Sequence, residues 1–220
     1  RAFRRPVAPE LVSRYAANVK LQLKDGVPFE KSMKNIASAV LCSPRFLYLY
    51  DQPVKGVRDD FNLASRLSFF LWGSIPDDEL LELAENQTLH QPAVLAAQVD
   101  RMLSDKRLKR FCDSFPSQWL QLERIITATP DRTLFPTFYA NAYRTSMHMM
   151  LEPLLLFEAV LIENRPVHQL IDSDFSYRSG PLSGWYKTGK RAGGLPPTRL
   201  AYKRETLASR REGGVITNAA

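Results

Sequence analysis

Apolar side chains recur at intervals of three and four residues along most of the chain, interrupted at short range by Pro, Gly and Asp, and this pattern predicts a succession of helices. Pro9-Glu10 opens the first. Leu11, Tyr15, Val19 and Leu23 give it one apolar face, and Asp25-Gly26 ends it, glycine being suited to the left-handed cap. The second helix starts near Pro28 and runs to Ser43, with Phe29, Met33, Ile36, Ala37, Val40 and Leu41 as its stripe. The short loop between the two predicts an antiparallel helical hairpin. Ser43-Pro44 breaks the second helix. The aromatic run Pro44-Arg45-Phe46-Leu47-Tyr48-Leu49-Tyr50 fits either a buried strand or a short helical turn, and the polar residues 51–58 are the best linker.

Asp59 or Asp60 caps the next helix, over residues 61–72, with Leu63, Leu67, Phe70 and Leu71 facing inward and Gly73 as its stop. Ser74-Ile75-Pro76-Asp77 starts another, with Ser74 as N-cap and Asp77 in the capping-box position. Pro92 opens a helix through Val94, Val99 and Met102. Ser104-Asp105 caps one through Leu108, Phe111, Phe115 and Trp119, where Pro116 predicts a kink or break. The longest helix lies within 136–163 and should bend at Pro153. After Tyr177 the pattern dissolves into glycines, prolines and charges, with no hairpin signal before that point. The expected fold is therefore all-α: a helical hairpin over residues 1–55, an orthogonal helical bundle over 56–175, and an irregular basic tail over 176–220. Trp72, Trp119, Phe70, Phe115 and Leu67 should fill the core.

Charge sharpens this division. The net charge of +7 is carried by residues 187–211, which hold eight basic side chains and the single acid Glu205, so the helical body is neutral. With 45% apolar residues the chain has enough to build a core. The most apolar stretch, residues 147–162, is interrupted by His148, Glu152, Pro153 and Glu158, so no membrane span is expected. The start lacks a secretory signal and opens mid-pattern, as expected of a piece cut from a longer precursor. Neither Cys42 nor Cys112 belongs to a C-x-x-C-H pattern, which excludes covalent haem attachment within the chain; buried apolar thiols are expected, a disulfide being the alternative.

Candidate chemistry is sparse. The Asp59/Asp60 and Asp77/Asp78 pairs sit at helix starts, where capping outweighs catalysis. His148 and Glu152 are four apart and share a face, but two ligands rarely hold a metal, so no metal and no cofactor are expected within the chain. Glu152 and Glu158 lie in an apolar run and call for basic partners such as Arg45, Arg66 or Arg165; Arg45, Arg66, Glu152 and Glu158 are the candidates for a polar cluster. Met147, Met149 and Met150 fall on different helix faces and read as packing. Trp185, Tyr186 and Tyr202 are interleaved with the basic tail, a mixture that can bind nucleic acid and also describes a solvated connector. No phosphate loop, nucleophile elbow or zinc-protease motif occurs.

Several stretches together resemble known families. Arg1-Ala2-Phe3-Arg4-Arg5-Pro6, with Ser43-Pro44-Arg45-Phe46-Leu47-Tyr48, resembles a small helical domain of unknown function (family 1595). Leu63-Ala64-Ser65-Arg66-Leu67-Ser68-Phe69-Phe70-Leu71-Trp72-Gly73-Ser74-Ile75-Pro76-Asp77 is similar to the signature of its usual neighbour (family 1592), which Arg101-Met102-Leu103-Ser104-Asp105, Gln118-Trp119-Leu120 and Leu134-Phe135-Pro136 also fit. Arg211-Glu212-Gly213-Gly214-Val215-Ile216-Thr217 looks like the opening of a third domain (family 1588). The resemblance implies a large, exported (periplasmic or otherwise secreted) planctomycete-type protein, often carrying a c-type cytochrome domain elsewhere. It brings no established activity and no catalytic residues. What it implies first is a non-catalytic scaffold or interaction module whose partners are the other domains of the parent chain. The alternatives are part of a redox or polysaccharide-related enzyme with its site at the junction to the third domain, and nucleic-acid binding through the basic tail.

Overall fold

A computed structural model describes residues 2–49, 59–139, 145–188, 201–208 and 212–218. The expected linker, residues 51–58, lies outside the described residues, as do most of the basic positions of the tail. The described residues are mainly helical, with one two-stranded antiparallel sheet. Two compact units divide the chain, residues 1–107 and 108–220.

The first unit begins with the predicted hairpin, α1 (Pro9–Lys24) and α2 (Phe29–Leu41), with Gly26 at φ +79° between them. The aromatic run after it is the short helix α3 (Pro44–Leu47), capped by the Ser43 hydroxyl, which accepts from the Arg45 amide. A hairpin alone has little area to hide, and Phe29, Met33 and Leu41 of the α2 stripe stay exposed. Three further helices follow: α4 (Asp60–Trp72), α5 (Asp78–Glu85) and α6 (Pro92–Leu103). Asp59 caps α4 by accepting from the Asn62 amide, while Asp60 turns inward, where the His90 amide and imidazole meet its carboxylate. Asp77, rather than Ser74, is the N-cap of α5 and accepts from the Leu80 amide.

Trp72 organises this unit. It is fully buried, and its indole N–H donates to the Met102 carbonyl at 3.1 Å. Two guanidinium groups stack on its ring, Arg107 at 3.3 Å and Arg101 at 5.4 Å from the centroid, a cation–π arrangement. Both arginines are held by Asp77, at 2.8 Å for Arg101 and 3.4 Å for Arg107, and Asp105 clamps Arg107 from the other side at 2.7 Å. Burial alone raises the Asp77 carboxyl, but the bonds from Arg101, the Leu80 amide and Arg107 bring it below its ordinary value. Hydrogen bonds from Arg107 hold Asp105 at about 2.

The second unit is built round α9 (Thr145–Ile162). Packed on it are α7 (Lys109–Trp119), α8 (Glu123–Thr127), strand β1 (Phe175–Ser179) and α10 (Gly180–Thr188); β1 pairs with β2 (Tyr202–Thr206). Pro116 and Pro153 sit inside continuous helices, so neither ends its helix. Among the described residues α9 is the one helix long and apolar enough to cross a membrane; 56% of it is buried inside the protein, as in a core helix. The stretch after Tyr177, expected to be irregular, contributes α10 and β2 to this unit. Farther on, Gly213 and Gly214 fit where a Cβ would come within 2.0 Å of the Ser173 and Ile171 carbonyls, and the Val215 amide donates to the Leu170 carbonyl at 2.7 Å.

The core differs from expectation in four residues, one of them Leu67, which is only half-buried. Trp72 is buried, but Phe70, Phe115 and Trp119 are 61%, 43% and 52% exposed. On α4 the buried face includes Leu71 and Trp72 together with Ala64, Ser65 and Ser68, small residues that admit close approach, and Phe70 is turned outward. On α7, Phe115 stacks between Phe111 and Trp119 at 5.2 and 6.0 Å, a half-exposed aromatic row. The cysteines are both free: Cys112 is buried, and burial, with the Glu158 charge, pushes its thiol up to about 11, whereas Cys42 is exposed.

Replacing Trp72 by Ala should therefore cost ~3–5 kcal/mol of stability, whereas Trp119→Ala, which removes only a half-exposed stack, should cost about 1 kcal/mol, both read from urea unfolding curves. The two depressed carboxyls give a pH dependence of fixed sign. Their contribution is complete above the unfolded value of about 4 and is lost as pH falls through the folded values. In a Trp119→Phe, Trp185→Phe background, Trp72 emission should shift between about pH 4 and about pH 2, and Asp77→Asn should show the acid-form emission already at neutral pH.

Candidate functional site

The apolar stretch of α9 carries His148 and Glu152 one helical turn apart, so both project from the same face, as their spacing requires. A carboxylate is tolerated in such a place only with hydrogen-bonding partners. Glu152 is 0% exposed. Its Oε1 accepts from the Ser176 hydroxyl at 2.6 Å, and its Oε2 accepts from the Tyr186 hydroxyl at 2.8 Å. The Arg178 guanidinium approaches Oε1 at 3.8 Å, lies 3.6 Å above the Tyr186 ring and pairs with Glu212 at 2.8 Å. Ser176 and Arg178, two apart on β1, share the face of the strand that looks at Glu152.

One turn earlier, His148 Nδ1 lies 2.9 Å from the Ser179 hydroxyl, and the Tyr202 hydroxyl donates to the His148 carbonyl at 2.9 Å. Burial, together with the Glu152 charge, pushes the Tyr202 phenol above its ordinary value, against a hydrogen bond with Ser179 that lowers it. A serine, a histidine and a carboxylate thus share one cluster. Ser179 is the residue before α10, and its Oγ accepts from the Leu182 amide at 3.4 Å, the arrangement of an N-cap. Ser179 and His148 are 2% and 1% exposed, so no substrate reaches the hydroxyl in this conformation. The geometry is that of a buried polar network which fastens β1, β2 and α10 to α9.

The four polar candidates from the sequence fall in two places. Glu152 is the centre of this network. Glu158 lies on the same helix and meets Lys109 at 2.6 Å, which also binds Asp113. Arg165, a third proposed partner for the acids, binds Glu163 at 2.5 Å. Arg45 and Arg66 belong to the first unit, where both line one cavity of about 620 Å³. Within the second unit Glu152 takes Arg178 and Glu158 takes Lys109, while Arg165 pairs with Glu163. Ser176, Arg178 and Ser179 went unnoticed in the sequence; the alternation Phe-Ser-Tyr-Arg-Ser over 175–179 was the available signal. Two of the three aromatic residues assigned to the tail, Tyr186 and Tyr202, reach into the network. The tail's Arg204 is bound by Glu163 at 2.7 Å and stacked on Phe175 at 3.8 Å.

Residues 59–188 match the family described as a protein of unknown function (DUF1592), and residues 1–51 match a second family of unknown function (DUF1595). No curated protein and no solved structure matches the chain.

Replacing Glu152 by Ala would leave the buried Arg178 with Glu212 alone and two hydroxyls without an acceptor; the expected loss is ~3–5 kcal/mol. Glu152→Gln, whose amide oxygen still accepts from one of the two hydroxyls while its NH2 can donate to the other, should cost clearly less. Thermal melts followed by circular dichroism compare the two.

Proposed function

We propose, for a chain that belongs to the DUF1592 family of proteins of unknown function, a non-catalytic role: a helical interaction module within a larger, exported multidomain protein. The observation that carries this reading is the state of Glu152. It is the most deeply buried ionisable group of the long helix, and its carboxylate is occupied by Ser176 and Tyr186, with Arg178 close by. A general acid or base needs a route to substrate, and a group committed in this way has structural work instead. Glu158 is likewise committed to Lys109.

Export and association with a c-type cytochrome domain rest on the resemblance of the chain's motifs to the tandem families alone. Haem, on this reading, sits on another domain of the parent protein, because neither cysteine of this chain lies in an attachment motif. The basic tail is a structural connector: of its described side chains, Arg204 is bound by Glu163.

The test is the complete parent protein. Its periplasmic fraction should contain it and show a haem Soret band, and any turnover it has should survive Ser179→Ala and His148→Ala in variants that keep native circular dichroism. Turnover abolished by Ser179→Ala in a folded protein would replace this reading with an enzyme.

A further inference from the structure

On the second unit a cleft of about 520 Å³ opens beside α8, within the range of small-molecule sites, roughly 300–1,000 Å³. Separate pieces of chain wall it: α8 with Arg124 and Ile125, the residues after α8 with Ala128, the short 3-10 helix Pro136–Tyr139 with Phe138, α9 with Met149, and α10 with Trp185. The exposed surface of these walls is apolar. Local bonds hold them in place. The Tyr139 hydroxyl donates to the Pro130 carbonyl, which ties the 3-10 helix to the stretch after α8, and the Phe138 and Tyr139 rings meet edge to face at 5.3 Å. Trp185 is followed by Tyr186, whose bond to Glu152 fastens α10 to α9.

Among the described residues Arg124 is the one charged side chain of the lining. It is exposed while the wall it contributes to is apolar, so its methylene stem lines the cleft and its guanidinium stands at the edge. It has no acidic partner among the described residues. Glu123 precedes it on α8, and side chains one apart on a helix do not face each other. Asp131, the next acid along the chain, accepts from the Leu134 and Thr133 amides at 3.0 and 2.7 Å, bonds that hold its carboxyl below its ordinary value. The undescribed side chains that adjoin the lining in sequence, those of 140–144 and 187–200, include Arg144, Lys187, Lys190, Arg191 and Arg199 and no carboxylate. These stretches therefore bring no countercharge for Arg124.

We propose that this cleft binds a free alkyl carboxylate, its chain lying against Phe138, Met149 and Trp185 and its head held by Arg124 at the edge. Each methylene removed from water adds to the affinity, and the guanidinium fork matches the two carboxylate oxygens. An apolar wall beside a cation selects for both features together: a neutral chain leaves the guanidinium unpaired, and a small anion leaves the wall uncovered. The chemistry is binding alone, with no bond made or broken. The proposal goes beyond the non-catalytic reading of the preceding section and does not depend on it, since the Glu152 network supplies only the anchorage of α10.

The experiment is isothermal titration of the 220-residue chain at neutral pH and low salt with three probes: octanoate, hexanoate and octan-1-ol. Octanoate should bind saturably at one site per chain. Hexanoate, shorter by two methylenes, should bind about tenfold more weakly, and octan-1-ol, which lacks the charge, about tenfold more weakly as well. Arg124→Gln should lower octanoate affinity about tenfold and leave that of octan-1-ol unchanged, and Arg124→Lys should recover part of the loss. Ala128→Trp, which fills the cleft from an exposed position, should abolish octanoate binding; both positions are exposed, so the melting temperature should stay native. Absence of saturable octanoate binding, or binding unchanged in Arg124→Gln or Ala128→Trp, overturns the site. Equal affinity for hexanoate overturns the apolar tail, and equal affinity for octan-1-ol overturns the anionic head. Sedimentation with phosphatidylglycerol vesicles separates a free carboxylate from a lipid surface: any binding should be the same in Ala128→Trp, and its loss in that variant reassigns the cleft to a membrane and overturns the proposal. Failure here shows in calorimetry and sedimentation, whereas failure of the non-catalytic reading shows in the turnover of the Ser179→Ala parent, so the two are told apart.

Discussion

A carboxylate at the middle of an apolar helix is the constraint round which the second unit is organised. Glu152 has no access to water, and an unpaired buried carboxylate costs several kcal/mol even after relaxation. The partners seen for its two oxygens come from outside its own helix. They come from Ser176 and Arg178 on β1 and Tyr186 on α10, so the chain after Ile162 has to return across α9. That return leaves β1 with an open edge, which β2 pairs, and Tyr202 of β2 reaches back to the His148 carbonyl. Glu212 then neutralises the far side of Arg178. One buried charge thus accounts for the order of a segment whose composition resembles a loose tail.

The helices were legible because their ends are written in local chemistry. Asp59 and Gly73 act where their positions suggested, through a side-chain acceptor or a left-handed glycine at φ +58°. What periodicity cannot supply is the cover. It says that Phe111, Phe115 and Trp119 share a face, but not that another element lies over all of them, and Phe115 and Trp119 remain half exposed. On α4 the spacing favoured Leu63, Leu67, Phe70 and Leu71, whereas the buried positions combine the small Ala64, Ser65 and Ser68 with Leu71 and Trp72. Whether a large side chain is buried depends on contacts distant in sequence, which no local window contains.

The same limit divides the polar candidates. That His148 and Glu152 share a face follows from their spacing alone. That Glu152 meets Arg178 requires β1 to be a strand, and a five-residue strand of mixed serine, arginine and aromatics gives a weak signal. Arg45 and Arg66 were singled out as partners for the acids. The structure places both along one cavity of the first unit, a grouping that no spacing in the sequence contains.

Buried charge is handled differently in the two units. Round Glu152 both carboxylate oxygens are used and the polar atoms are enclosed, which fixes β1, β2 and α10 on α9. Arg4 of the first unit is held instead by the carbonyls of Phe46, Arg45 and Tyr48. Carbonyl dipoles satisfy the hydrogen bonds of a guanidinium without cancelling its charge, so Arg4 fixes the end of α3 by the geometry of its donors and not by ion pairing.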